Sequence, residues 1–204
     1  MILTTWNYKL TAVNALPSLL TDEEFNSMTA GRYTGDVRIP SMLSAAESAM
    51  REFCGWHLGD NQPCEATFLG RDKAVSLTHT DTLIQLPATY VTGVNSVTIN
   101  GTAVTDYDGT TDGLLWLYDI FVSRRCKIVV SYNAGLTDEL MAGIKELIAH
   151  RVTHALAQSY GIQSEAAGGV SVTYSANWIN SARATALPDD NKEVLSPYRL
   201  RRVF

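Results

Sequence analysis

The sequence has few cysteines and no long hydrophobic run, and each shortage excludes a class of protein. Its three cysteines, Cys54, Cys64 and Cys126, are an odd number in a 204-residue chain, which is long enough to bury a core. A secreted domain held together by disulfides is therefore not expected. No segment approaches the roughly 18 apolar residues of a membrane span, and the N-terminus has no basic flank before an apolar run. We expect no membrane partner. The expected environment is a reducing cytoplasm, or a particle that is assembled in the cytoplasm.

Positive charge is also scarce, and it is unevenly distributed. The chain has 16 basic and 21 acidic residues, which gives a net charge of −5, whereas a general nucleic-acid binder would be basic. Residues 74–123 contain no Lys or Arg but hold five Asp. The last six residues, 199–204, hold three Arg and no acid. The sequence therefore predicts an acidic body with a cationic tip.

Motifs of known enzyme chemistry are absent. The sequence contains no nucleophile elbow, P-loop, dinucleotide fingerprint or kinase signature. Residues 106–113 partly match a calcium loop, but Thr110 fills the fifth position and no Glu fills the twelfth. A turn rich in Asp and Gly is the simpler interpretation. Cys54, His57 and Cys64 lack the fourth ligand of a zinc site, so buried thiols are expected. We predict no enzyme, no catalytic residue and no cofactor.

One further group could bind a metal. Glu146, His150 and His154 follow one another at intervals of four residues, so on a helix they share a face. Their order is not H-E-x-x-H, and the sequence shows no distant third ligand. We therefore predict no metal site. A metal-dependent hydrolase that uses these three residues stays open as an alternative function.

Helical patterns flank the centre of the chain. Thr21 and Glu24 have the spacing of a capping box, and Pro40 falls where the first turn of a second helix tolerates it. In that helix Glu47 and Arg51 lie off the apolar stripe. The stripe consists of Ile39, Leu43, Ala46, Met50, Phe53 and His57. We predict four helices, over about residues 22–29, 37–56, 137–159 and 189–196.

Residues 64–132 instead show short runs rich in β-branched side chains. Asn100-Gly101 separates two of these runs and favours a type I′ hairpin turn, because both turn positions need positive φ. The fold class is therefore predicted as α+β: a small helical bundle, an antiparallel β unit inserted at about 64–132, and an extended C-terminal arm. The predicted strands are 67–69, 75–77, 82–86, 94–99, 102–104, 114–117 and 126–132, with another strand or extended segment at 170–174.

The C-terminal segment mixes cations with large apolar side chains. Arginines can pair with carboxylates while neighbouring aromatic and aliphatic side chains are buried as anchors. A frayed terminus would leave those apolar residues exposed without gain, and three arginines on an acidic chain make nucleic acid the weaker candidate partner. We predict a docking peptide made of Tyr198, Arg199, Leu200, Arg201, Arg202, Val203 and Phe204.

Three segments follow one another in a distinctive order. A helix ends over 45–57, the run 86–97 leads into the Asn-Gly hairpin, and the strand at 128–136 leads into the long helix. This order, over roughly residues 36–160, resembles the head–tail connector, or adaptor, proteins of long-tailed bacteriophages and prophages. Segments 169–175 and 195–200 are also similar to that family. We expect an N-terminal arm (1–20), an adaptor core (21–160) and a C-terminal arm (161–204).

The resemblance implies a structural virion protein. Such adaptors form a homo-oligomeric ring of about 12 subunits beneath the portal, join the DNA-filled capsid to the tail, and let DNA pass during ejection. The implied partners are the portal protein and a stopper or tail-completion protein, and the implied location is the virion neck after assembly in the host cytoplasm. It also implies that residues 198–204 dock on the portal. A stopper or tail-completion protein of the same neck is a second alternative.

An acidic lumen would let DNA slide past, because like charges prevent tight phosphate contacts. We therefore hypothesise that one acidic surface faces the lumen or the tail-side partner without sequence-specific DNA binding. Its residues are Asp106, Asp108, Asp112 and Asp119.

Overall fold

The computed structural model describes residues 9–12, 16–72, 75–77, 81–120, 122–157, 164–167, 170–173 and 187–200. These residues form an α+β fold, as predicted, and each of the four predicted helices is present. The helices are α1 (Asp22–Met28), α2 (Ile39–Cys54), α3 (Asp138–Ala157) and α4 (Asp189–Leu195), and a 3₁₀ turn (Ser196–Tyr198) follows α4.

The described strands form three antiparallel sheets. The first sheet has the order β1-β2-β9-β5-β6, the second β3-β4-β8-β7, and the third pairs β10 with β11. The strands are β1 (Lys9–Ala12), β2 (Gln62–Leu69), β3 (Val75–Leu77), β4 (Thr82–Gln85), β5 (Val91–Ile99), β6 (Thr102–Val104), β7 (Tyr107–Gly109), β8 (Leu114–Leu117), β9 (Lys127–Ala134), β10 (Ser164–Ala167) and β11 (Val170–Thr173).

The chain divides into two compact units. The β unit comprises residues 1–17, 51–141 and 194–204, and the helical unit comprises residues 18–50 and 142–193. The first and second sheets belong to the β unit. The division falls inside α2 and α3, between Met50 and Arg51 and between Met141 and Ala142.

The core of the first sheet follows from alternation along its central strands. In β9, Ile128, Val130 and Tyr132 are fully buried while the residues between them are not, and in β2 Ala66 and Phe68 are buried in the same way. This period of two puts one face of the sheet into the core.

The Asn-Gly hairpin is confirmed. Asn100 has φ +50° and Gly101 has φ +86°, and they join β5 to β6. These are the two positive φ values that the type I′ turn requires. The capping box of α1 is also confirmed: the Glu24 backbone N–H donates to Thr21 Oγ1 at 3.2 Å, and the Thr21 N–H donates to Glu24 Oε2 at 2.9 Å.

The structure corrects the predicted face of α2. The helix ends at Cys54, so His57 lies beyond it, and Phe53 is only half-buried. Glu47 and Arg51, which lie off the apolar stripe, are buried. In the helical unit, Glu47 Oε1 accepts bonds from the Leu19 N–H at 2.9 Å and the Leu20 N–H at 3.0 Å. Apolar periodicity cannot detect a charged side chain that is buried because it satisfies backbone donors.

Three strands were not expected as strands. In the predicted N-terminal arm, β1 pairs with β2 and becomes the edge of the first sheet. Part of the predicted Asp-Gly turn is β7, which pairs with β8; the turn itself is confined to 110–113. In the predicted C-terminal arm, β10 pairs with the expected strand β11. Each is three or four residues long and is specified by its partner, which composition does not reveal.

Candidate functional site

Two surfaces of the β unit carry the predicted site residues, and the first is the chain's C-terminal segment. Leu200 is buried, and its N–H donates to the Cys54 carbonyl at 2.8 Å. Trp56 Nε1 donates to the Tyr198 carbonyl at 2.7 Å. These bonds fasten the segment to the end of α2. We call Trp56, Tyr198 and Leu200 the C-terminal anchor.

Aromatic rings extend this anchor toward the surface. The Tyr90 ring stacks on Trp56 at 6.2 Å between centroids, and the Tyr198 ring lies 6.0 Å from Tyr90. Tyr90 has φ +57°, in the left-handed region that side-chain-bearing residues rarely adopt. Burial, and then the nearby Tyr198 phenol and Asp112 carboxylate, raise the pKa of Tyr90. The structure thus holds Tyr90 against its local backbone preference, at a cost of about 1–2 kcal/mol.

A groove of about 350 Å³ opens beside the rings. Asp112 and Arg199 both line it and bring opposite charges to one concavity. The Arg199 guanidinium also lies over the Phe53 ring, 5.2 Å from its centroid, at a distance typical of a cation–π contact. Arg199 is otherwise exposed, so its charge remains accessible to a partner.

The structure therefore divides the predicted docking peptide. Tyr198 and Leu200 make contacts within their own unit, and only Arg199 of the first three residues is exposed. Arg201, Arg202, Val203 and Phe204 lie outside the described residues. The alternation of arginine with large apolar residues did not distinguish an internal anchor from an external one, because both need buried apolar side chains. Portal docking stays a prediction.

The second surface is the acidic edge of the second sheet. All four predicted acidic residues are exposed. Asp108 lies on β7 opposite Trp116, and Asp112 lies in the turn before β8. Asp106 precedes β7, and Asp119 follows β8 with φ +52°. The strand pairing therefore brings the four carboxylates to one sheet, although their orientation in an assembly stays a prediction.

The buried polar groups nearby serve packing rather than chemistry. His57 Nε2 donates to the Ala134 carbonyl at 3.1 Å, and burial lowers the pKa of His57 to about 4, so the ring is neutral. Arg51 donates through Nε to the His57 carbonyl and through Nη2 to the Pro17 carbonyl, each at 2.7 Å. Burial raises the pKa of Cys54 to about 12 and of Cys64 to about 11, which makes both thiols poor nucleophiles.

The three residues of the hydrolase alternative, Glu146, His150 and His154, lie on α3. Glu146 and His150 are exposed on α3, and the His150 and His154 rings are 6.4 Å apart between centroids. Within the ranges that the structure describes, no three His, Cys, Asp or Glu side chains are grouped so that they could hold a metal ion. The geometry therefore gives the metal-dependent hydrolase no support. No helix among the described residues is both long and apolar enough to cross a membrane.

The family model for Head completion protein matches residues 18–200. The chain belongs to the Head completion protein family. This family is a structural one of the phage head–tail neck, which agrees with the connector resemblance and identifies the chain as a neck component of the virion. No curated protein matches the chain. The match spans the whole helical unit and residues 51–141 and 194–200 of the β unit, and it ends at Leu200, the last residue of the C-terminal anchor.

Proposed function

We propose that this chain is the adaptor subunit of the neck, which forms a ring beneath the portal and joins the DNA-filled capsid to the tail. The observation that carries the proposal is the family match together with the exposed acidic sheet. A neck subunit needs surfaces for neighbours and a path that does not retain DNA. It needs no active site, which agrees with a structural family.

The adaptor role is favoured over the stopper role by the helical content of the chain. The long helix α2 precedes strands β2 to β9 and α3 follows them, and the helical unit is a compact body of its own. The connector resemblance implies that stopper proteins of the neck are mostly small β-barrels. A ring position next to the portal therefore suits this chain better than a position further down the neck.

In this proposal the exposed carboxylates of the second sheet line the lumen or meet the tail-side protein. Residues 74–123 contain no Lys or Arg that could hold phosphate. DNA would thus meet a repulsive surface and pass through during ejection. The residues are Asp106, Asp108, Asp112 and Asp119.

The portal contact is assigned to the last residues of the chain. Leu200 is fastened to Cys54 and is therefore fixed in position, and four further residues can reach at most about 14 Å from it. Arg199 adds an exposed charge at the same point. The proposal therefore assigns portal docking chiefly to Arg199 and to Arg201, Arg202, Val203 and Phe204.

Attachment to portal-bearing capsids tests this function. Capsids made without the protein are mixed with purified wild-type chain or with a chain truncated after Leu200, and bound protein is measured after sedimentation. We expect the wild type to bind and to restore tail joining, whereas the truncated chain stays folded and does not bind. Normal attachment of the truncated chain would refute the docking assignment, and failure of the wild type would refute the adaptor role.

A further inference from the structure

A patch of positive charge lies at one end of the first sheet. Between Gln62 and Ala134 the basic residues fall in two short stretches, 71–73 and 124–127. Of these residues Lys73 lies outside the described residues, and the other four are exposed. We call these four the basic cap: Arg71, Arg124, Arg125 and Lys127.

Strand pairing brings the two stretches together. Leu69, at the end of β2, pairs with Lys127, at the start of β9. The Gly70 N–H donates to the Cys126 carbonyl at 3.0 Å, which holds the loop after β2 against the loop before β9. The turn at Asn100 lies at the same end of the first sheet, because the Asn100 side-chain Oδ1 accepts from the Lys127 N–H at 2.8 Å. The cap is therefore a platform fixed by backbone bonds.

The cap keeps an excess of positive charge, although the Asp72 carboxylate lies beside it and accepts from the Leu69 N–H at 2.7 Å. None of its four side chains forms an ion pair with a residue that the structure describes. Exposed cations of one sign repel a second cap and attract an acidic surface. The cap therefore needs a partner whose matching surface is acidic.

An acidic surface lies on the same chain, at one end of the second sheet. Thr82 of β4 and Tyr107 of β7 both pair with Leu117 of β8, so the residues just beyond this row meet. Tyr118 is exposed among them, and exposed tyrosines often anchor protein interfaces. We call the group the acidic rim: Asp81, Asp106, Tyr118 and Asp119.

We propose that the basic cap of one copy docks on the acidic rim of the next copy. The inference rests on the proposed ring function and names the two surfaces that build the ring. Because the cap and the rim are different patches, the contact can join copies head to tail, and a head-to-tail contact closes into a ring when the rotation between successive copies closes. Each copy then carries one cap and one rim, so every subunit satisfies both. The contact narrows the surface that faces the lumen or the tail-side protein to Asp108 and Asp112, because Asp106 and Asp119 then lie between copies. Duplex DNA suits the cap less well, because the chain as a whole is acidic.

Charge reversal tests the pairing on portal-bearing capsids. The cap variant is Arg124→Glu with Arg125→Glu, the rim variant is Asp106→Lys with Asp119→Lys, and a fourth chain combines all four substitutions. The readouts are the number of copies bound per capsid and the protein concentration at half-saturation. The control is Arg32→Glu with Arg38→Glu on the helical unit, where both residues are also exposed.

We expect the cap variant and the rim variant each to need about tenfold more protein for half-saturation, because like charges then face each other. The combined chain should regain much of the wild-type loading, and the control should load normally. Equal loading of the cap variant and the wild type would overturn the inference while leaving the adaptor role intact. A combined chain that stays defective, with duplex DNA binding lost on cap reversal, would assign the cap to DNA instead. A wild-type assembly that stops at a dimer would contradict the head-to-tail contact, and a wild type that does not load at all would refute the proposed function.

Discussion

The C-terminal anchor and the acidic second sheet differ in where their polar and aromatic residues find partners. At the anchor, the Trp56 ring N–H donates a hydrogen bond to the Tyr198 carbonyl, and the Leu200 backbone N–H donates one to the Cys54 carbonyl within the same unit. On the second sheet, Asp108 and Asp112 are exposed. The C-terminal segment that contains Tyr198 and Leu200 and the acidic second sheet both stand out in the sequence by unusual charge. Unusual composition therefore marks a segment as important without telling whether it is important for the fold or for a partner.

The largest expected loss of stability comes from a substitution on the acidic sheet, at Gly113 in the turn that leads into β8. Gly113 has φ +81°, and a Cβ there would lie 2.2 Å from the Ala88 carbonyl oxygen. Gly113→Ala combines strain with a backbone clash and should destabilise the protein by roughly 4 kcal/mol. Gly101→Ala is the matched control, because Gly101 has φ +86° with open space around it; it should cost about 1 kcal/mol. Urea unfolding measures both, and equal costs would show that the close approach to Ala88 is unimportant.

The anchor should respond nearly as strongly to loss of its buried leucine. Leu200 is 7% exposed, so Leu200→Ala should lower the free energy of unfolding by about 3 kcal/mol, through lost burial and a cavity. Val194→Ala is the control, since Val194 is 55% exposed and should change stability by less than about 0.5 kcal/mol. If Leu200→Ala left stability unchanged but abolished capsid binding, the anchor would be a docking peptide after all.

Much of this fold was predictable because its signals are local. The Thr21 capping box, Pro40 in a first turn and the Asn100-Gly101 turn each specify structure through a few neighbouring residues, and all are confirmed. The short strand β1 depends on β2, which is distant in sequence, and β7 lies in a segment whose Asp and Gly residues are typical of a turn, so their own residues did not reveal them. The same holds for the site: composition located the acidic sheet, whereas the bond between Trp56 and Tyr198 spans 142 positions.

The buried polar residues of α2 and of the segment just after it were the least predictable part of the fold. Arg51 is buried because it donates to two carbonyls, and His57 is buried because its ring donates to Ala134. Such roles depend on where acceptors lie in the folded chain. The apolar periodicity of the sequence therefore does not predict these buried polar residues.

The buried His57 makes a pH prediction of intermediate size. Burial lowers its pKa from 6.5 to about 4, so between these values the unfolded chain binds a proton that the folded chain does not. Stability is therefore retained above pH 6.5 and falls as the pH drops, by about 2 kcal/mol between pH 7 and pH 4.5. Urea unfolding at both values checks this for the wild type and His57→Gln. The variant should lose this part of the pH dependence, and an equal dependence in both proteins would contradict the assignment.

A smaller change isolates the polar bond of the anchor. Trp56→Phe removes the N–H that donates to the Tyr198 carbonyl while keeping an aromatic ring in place. It should cost about 1–2 kcal/mol, as expected for a partly buried hydrogen bond and some lost contact area. Thermal unfolding measures the cost, and hydrogen exchange at Leu200 should quicken with it. A variant as stable as the wild type would show that the rings alone hold the segment.

The smallest expected effect lies on the other side of the comparison. Asp108→Asn replaces an exposed carboxylate on β7 by a side chain of the same shape. Stability should change by less than about 0.5 kcal/mol. A loss of more than 1 kcal/mol in urea unfolding would mean that this carboxylate supports the fold, and the acidic sheet would no longer contrast with the anchor.

A density map of the assembled neck, bound to a DNA-filled capsid, tests the central claim most directly. We expect a ring of this chain in contact with the portal, with Asp108 and Asp112 facing the lumen or the tail-side protein. Placement of the chain away from the portal, or of these two carboxylates on the outer wall of the ring, would contradict the adaptor role.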